Sequence, residues 1–232
     1  MVHLNAHLKH FLLQPAYVLL VLLGVLSLNV QASTESTQPD KLITQLFDEM
    51  NQRLQTEKEK VAADRHLLVQ IGEEVLGPYV SFDKMAMQIL GKNWRKITED
   101  QQNRYTSAFK NRVSYAMASQ YDPEQTYALE VTDSKFDDRG VRALVKSEVV
   151  NKSSGKKYLI DYKFFLDKKT GNWMVYDVIV EGISMLQSFK TASNEEMSRN
   201  GIESLIAQLE TEGKQEEVKV SGASAEAVAA EQ

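Results

Sequence analysis

The spacing of hydrophobic residues changes period twice, dividing the chain into helices, a sheet and helices again. Pro39 and Asp40 open a stretch in which Leu42, Ile43, Leu46, Phe47, Met50 and Leu54 recur at three- and four-residue steps, the spacing of one helix face. A charged run, 57–64, interrupts it. A second stretch carries Leu67, Leu68, Ile71, Val75 and Leu76 on one side and stops at Gly77-Pro78. Ser81 offers an N-cap for a short helix with Phe82, Met85, Ala86, Ile89 and Leu90, closed by Gly91. Thr98, with Gln101 three residues on, predicts a capping box. The helix it opens is lined by Tyr105, Phe109, Val113, Ala116 and Met117 and ends before Asp122-Pro123.

From Tyr127 the period becomes two. Strands are predicted over 127–136, 141–150, 158–166 and from Trp173, each separated by a short polar turn with glycine. Such short connections join only antiparallel neighbours, so the sheet is a meander in sequence order. The third strand puts Tyr158, Ile160, Tyr162, Phe164 and Leu166 on one face. The fourth lacks a polar face: Met174, Tyr176, Val178 and Val180 carry no charge, and Trp173, Val175, Asp177 and Ile179 are broken only by Asp177. A strand buried on one face alternates apolar with polar, so both faces here need apolar cover. Either protein core lies on both sides, or core lies on one and a bound apolar ligand on the other. Gly182 ends the strand, and Ile183, Met185, Leu186 and Phe189 continue the apolar character. Helical segments over 193–200 and 202–209 close the fold. Helices, consecutive strands, then helices predict an α+β class, a curved antiparallel four-stranded meander sheet packed against several helices.

Composition trims the ends of this picture. Lys9 and His10 precede an apolar run whose centre, 17–28, is almost wholly aliphatic, and Val30 and Ala32 supply the small residues of a cleavage site. Residues 1–32 thus read as a secretory signal peptide. A membrane anchor is the competing reading, but the clean run is short for ~30 Å of hydrocarbon. From Thr211 the sequence is small, charged and polar, and 211–232 reads as a disordered tail. That leaves 33–210 as one domain. Removing 1–32 takes away only Lys9 among the charged groups, so the net charge of −5 becomes −6. An acidic chain gives no support for nucleic-acid binding. The chain has no cysteine, so an exported domain of this kind is held by its core alone.

Covalent chemistry finds few candidates. His66 is the one histidine outside 1–32, too few for a histidine metal cluster, and cysteine zinc sites are excluded. Gly182-Ile183-Ser184-Met185-Leu186 lacks the closing glycine of a nucleophile elbow. No phosphate loop is present, and no cofactor is expected. Asp177 and Glu181 stand out as carboxylates in the most apolar strand. They are candidates for acid–base work, with Asp177 as base and Tyr176 as donor, or for supports bound to backbone or a cation. Aromatic residues on both sides of one sheet leave a solid core and an apolar ligand cavity as alternatives.

Three segments carry a resemblance. Residues 77–109 contain Pro78-Tyr79, Leu90-Gly91, Trp94-Arg95, Gln101-Gln102 and Phe109. Trp173, Tyr176, Asp177, Glu181, Gly182, Ile183 and Ser184 follow with an apolar pair, Met185-Leu186. Residues 200–206 read Asn-Gly-Ile-Glu-Ser-Leu-Ile. In this order the chain resembles the periplasmic phospholipid-binding carriers of the Mla (maintenance of lipid asymmetry) system, the toluene-tolerance auxiliary family of ABC transporters, over about 39–209. Glu203 departs from the aspartate common there. The resemblance implies a non-enzymatic periplasmic carrier whose sheet and helices enclose an apolar cavity for glycerophospholipid acyl chains. It implies two partners: an outer-membrane lipoprotein–porin complex and an inner-membrane ABC transporter with a substrate-binding ring. The residues expected to line the cavity are Met85, Ile89, Tyr105, Phe109, Tyr162, Val178, Val180, Ile183, Met185, Leu186 and Phe189.

Overall fold

The structure is a computed structural model that describes residues 37–230, with side chains as far as Gly222. Pro39 takes the first position of α1 (Pro39–Thr56), where its missing N–H and fixed φ cost nothing. Leu42, Ile43 and Leu46 bury the predicted face. The charged run is not a break but a short helix, α2 (Lys58–Ala63), anchored by buried Val61. Helix α3 (His66–Val75) leads through a 3₁₀ turn, Gly77–Tyr79, to α4 (Phe82–Leu90). Ser81 precedes α4 without a side-chain cap bond. A second 3₁₀ segment, Gly91–Lys96, precedes α5 (Glu99–Ser119). The capping box forms there: Gln101 N–H donates to Thr98 Oγ1 at 3.2 Å and Thr98 N–H to Gln101 Oε1 at 3.0 Å.

Strands β1 (Tyr127–Phe136), β2 (Arg142–Asn151), β3 (Lys157–Leu166) and β4 (Trp173–Val180) pair antiparallel in sequence order. The four-stranded expectation falls short by one: β5 (Ile183–Ser184) adds a two-residue fifth strand beside Ile179 and Val180. The turn into it places Glu181 at φ 49° and Gly182 at φ 80°. Glycine takes that conformation freely; glutamate does not. Glu181 is held there by Leu159, whose O accepts its N–H at 2.9 Å and whose N–H donates to its carboxylate at 2.8 Å.

One register shift reorganises β4. Phe164 pairs with Val175 and Lys163 with Asp177, leaving Tyr176 as an extra residue. A bulge of this kind reverses the side-chain phase beyond it. Trp173 and Val175 therefore share a face with Val178 and Val180, together with Phe164, Tyr162 and Ile160 of β3 and Val145 and Val149 of β2. This is the inner face. Asp177 and Ile179 fall on the outer one. The two alternating sets of the sequence are thus each split at Tyr176.

Helix α6 (Met185–Ala230) replaces the two segments expected over 193–209, and it also replaces the disordered tail expected from Thr211. It is interrupted at Gly201 (φ 82°, ψ −178°). From Thr211 to Gly222 most residues face water, yet Gly213 and Val220 are buried. Gly213 lies against the Arg112 backbone, 3.6 Å from where a β-carbon would stand. The expected signal peptide, 1–32, lies outside the described residues.

Two apolar clusters result. A sheet-side core joins α1, α2 and α3 to the inner face of the sheet, with Val220 of α6. A helix-side core joins α4, α5 and the first half of α6. Strand β4 serves both: Val175 packs in the first and the bulged Tyr176 against the second. Val80 bridges to Val175, and Ser81 N–H donates to Val175 O at 2.9 Å, which fixes the start of α4 to that strand.

Candidate functional site

The helix-side core is filled by aromatic rings. Phe109 meets Phe189 edge-on at 4.9 Å between centroids, stacks with Tyr105 at 6.4 Å and meets Phe82 at 6.0 Å. The Tyr105 hydroxyl and Ser193 Oγ lie 3.2 Å apart, so the one polar atom of that ring is satisfied. Burial pushes the Tyr105 phenol up to about 12, with the Ser193 bond opposing the shift. Met85, Ile89, Tyr105 and Phe109 are buried here, with Leu186 and Phe189 packed against them. Six of the eleven expected lining residues therefore sit in this one cluster.

The other five lie elsewhere. Tyr162 and Val178 pack against the sheet-side core, and Val180 is half-buried on the same inner face. Met185 is half-buried at the start of α6, and Ile183 is 60% exposed. The structure does not gather the eleven onto one surface. It gathers instead an inner face the periodicity left unassigned, in which Val149, Tyr158 and Ile160 continue from Tyr162 and Val178. The alternation of Ala143, Val145, Ser147 and Val149 marked this face in β2. Only the register against β3, together with the bulge, extends it to β4.

That face is graded along its length. At one end Val145, Phe164, Trp173 and Val175 are buried, and Phe136 closes over Trp173 at 5.7 Å. At the other end Tyr158 and Ile160 of β3 and Val178 and Val180 of β4 are half-buried, while Ser147, Val149 and Asn151 of β2 stay buried. The apolar inner face of β3 and β4 thus runs on from buried Phe164 and Trp173 to half-buried Tyr158 and Val180. Tyr162, between the two ends, has its phenol pushed up to about 12 by burial, with Ser147 hydrogen bonding opposing the shift. Ser147 Oγ in turn donates to Ile160 O at 2.7 Å.

The proposed acid–base pair does not form. Asp177 is fully buried, and both its oxygens are occupied. One accepts from Lys163 Nζ at 3.0 Å and Ser184 Oγ at 2.8 Å, the other from Leu186 N–H at 3.0 Å. Its charge is therefore compensated by a lysine and by the N-terminus of α6. Ser184 Oγ also accepts from Gln187 N–H at 3.0 Å. Asp177 ties β4 to α6, while Tyr176 turns to the helix-side core. Two half-open clefts accompany these features. One, of about 280 Å³, is lined by Lys84, Gln88, Arg142 and Tyr176. The other, of about 150 Å³, lies between α5 and α6 beside Tyr115 and Gly213.

Comparison with known proteins agrees with this architecture. The chain is 23% identical over 181 residues to the intermembrane phospholipid transport system binding protein MlaC of Haemophilus influenzae, covering 77% of this chain and 84% of that one. It is 29% identical over 185 residues to the toluene tolerance protein ttg2D of Pseudomonas putida, covering 79% and 82%. The fold matches that of a phospholipid-binding protein from Ralstonia solanacearum, solved in complex with a phospholipid. The TM-score is 0.69 at 17% identity, over 76% of this chain and 97% of that one. A model of the MlaC protein family matches residues 44–211, and the chain belongs to that family.

Proposed function

We propose that this protein is a periplasmic carrier that holds the acyl chains of a glycerophospholipid and moves lipid between the two membranes. The observation that carries the reading is the inner face of the sheet, apolar on β3 and β4 and only half-buried toward Tyr158 and Val180. Two relatives support it by name: one is a phospholipid transport binding protein, and the other was solved with a phospholipid bound. In this reading Tyr158, Ile160, Tyr162, Val178 and Val180 touch the acyl chains. Met85, Ile89, Tyr105, Phe109, Leu186 and Phe189 form the wall that supports them. Ile183 and Met185 stand at the rim.

The energetics suit a carrier. Burying hydrocarbon gains ~0.8 kcal/mol per CH₂, so two chains with about 30 such groups gain roughly 24 kcal/mol relative to water. Escape into water is then negligible, yet the bilayer offers about as much, so exchange with a membrane protein is nearly balanced. Pockets for drug-sized ligands measure about 300–1,000 Å³, and the larger cleft here is about 280 Å³ and lies off the inner face. In this reading lipid enters at the half-buried end of the inner face, where the helical layer parts from the sheet. No reaction is needed, and the occupied Asp177 suits a non-enzymatic role. Cleavage of 1–32 would release the carrier into the periplasm. Its partners would be an outer-membrane lipoprotein–porin complex and an inner-membrane ABC transporter with a substrate-binding ring, the arrangement that maintains outer-membrane lipid asymmetry.

The test is direct. The mature protein is purified, extracted with organic solvent and its lipid identified by mass spectrometry. Near-stoichiometric glycerophospholipid is the expected result; a folded protein that never carries lipid overturns the reading.

A further inference from the structure

The cleft of about 280 Å³ lies beside Phe165 on the outer face of the sheet, and its Tyr176 also packs against the helix-side core. Its lining, Lys84, Gln88, Arg142 and Tyr176, supplies hydrogen-bond donors and no carboxylate. Phe165 organises it. Lys84 Nζ stands 4.0 Å over the Phe165 ring, Tyr176 meets that ring edge-on at 6.1 Å, and Arg142 pairs with Phe165 across the β2–β3 ladder. The cation–π contact holds the ammonium in place without neutralising it. Among the described residues neither Lys84 nor Arg142 forms an ion pair. Asp177 is engaged with Lys163 at 3.0 Å, and Asp137, whose charge also acts on Arg142, with Arg139 at 3.6 Å and the N–H groups of Val141 and Arg142. Two cations without an ion pair among the described residues thus share one recess in a chain of net charge −5.

The surface beside the recess is also unusual. Met87 is 44% exposed on α4, and Lys84, Met87 and Gln88 share one helix face. Methionine and arginine are enriched at protein interfaces. Lys84 is half-buried and Arg142 exposed, and two cations flanking a recess beside Gln88 and Tyr176 suit an inserted side chain.

We infer that the cleft between α4 and the outer face of the sheet is a docking socket for a carboxylate side chain of an acidic protein partner. The partner's aspartate or glutamate enters between Lys84 and Arg142 and takes a bidentate contact from the guanidinium, while Met87 meets apolar surface at the rim. This deepens the carrier reading, since a carrier must dock to exchange lipid, and it places docking and lipid on opposite faces of one sheet.

The test replaces Met87 with the photo-crosslinker p-benzoylphenylalanine in the full exported chain, irradiates producing cells and identifies the adduct by mass spectrometry. The expected adduct joins an envelope protein through a peptide containing Asp or Glu. Lys84→Glu with Arg142→Glu should reduce it at least tenfold while bound phospholipid and the thermal midpoint stay at wild-type values. Should that pair fail to fold, Lys84→Gln with Arg142→Gln is expected to give the same loss more weakly. An undiminished adduct overturns the proposal. So does loss of bound phospholipid from the folded variant, which would assign the cleft to lipid. Loss of binding to phosphatidylglycerol vesicles that the wild type binds would assign it to a membrane surface, again overturning the proposal. Absence of phospholipid from the wild type is read separately and counts against the carrier function alone.

Discussion

The two cores are built from similar residues but close to different degrees. In the helix-side core the rings of Phe82, Tyr105, Phe109 and Phe189 fill the space between three helices. Tyr105, Phe109 and Ile89 are wholly buried. On the inner face of the sheet β2 is buried throughout, while β3 and β4 thin from Phe164 and Trp173 to half-buried residues at Tyr158 and Val180. A filled core resists any change of volume, since interiors pack like organic crystals. A core that ends before its apolar surface does can admit a guest. The contrast separates what keeps the protein folded from what lets it carry lipid.

Substitutions should pull the two roles apart. The largest effect is expected from Phe109→Ala, which empties the centre of the filled core and should cost about 3–5 kcal/mol. Urea unfolding followed by circular dichroism would measure this, and lipid should be lost only along with the fold. Val178→Lys should act the other way, removing bound phospholipid at a cost of about 0.5–3 kcal/mol in stability. Unchanged lipid content by mass spectrometry would erase the distinction between the cores. Gly201→Ala should cost about 1–3 kcal/mol through backbone conformation alone. Its φ of 82° excludes a β-carbon although nothing lies within 4 Å of one, so a smaller shift in thermal midpoint would show that α6 can straighten.

Alkaline pH gives the finest probe. The Tyr105 and Tyr162 phenols are held up at about 12, above the ordinary value of 10.0. Each therefore favours the folded state fully below pH 10 and loses that contribution between pH 10 and 12, by about 1.4 kcal/mol per pH unit per group. Tyr105→Phe and Tyr162→Phe should each remove one share of the slope in pH-dependent melts. Bound lipid should alter the titration of Tyr162 by ultraviolet difference spectroscopy and leave that of Tyr105 alone. Equal response of both tyrosines would mean that lipid reaches the two cores alike.

Much of the fold was legible in the sequence because local chemistry marks it. Thr98 and Gln101 announced α5, and the polar turns announced the meander. The bulge at Tyr176 was not legible, since it is a property of pairing: only the register of Lys163 and Phe164 reveals that one residue of β4 is extra. The apparent two-faced strand was a strand that changes phase. This also explains why the expected lining mixed two cores. Met85 and Phe109 are apolar for the helix-side core and Tyr162 and Val178 for the sheet-side one, and hydrophobicity alone does not say which. Asp177 was visible as an anomaly, but its partners Lys163 and Ser184 stand 14 and 7 residues away.

Helix α6 has a practical consequence for anyone who wishes to label or shorten the protein. Its last part looks expendable by composition, yet Val220 is wholly buried among residues of α1, α2 and α3 and the sheet. The Arg112–Glu212 ion pair and the Ser119–Glu216 hydrogen bond, at 2.9 Å, fasten the same stretch to α5. A reporter or affinity tag joined at Thr211 would replace part of the interior with linker. The safe place to cut is read from which side chain is inside, not from where the sequence turns polar.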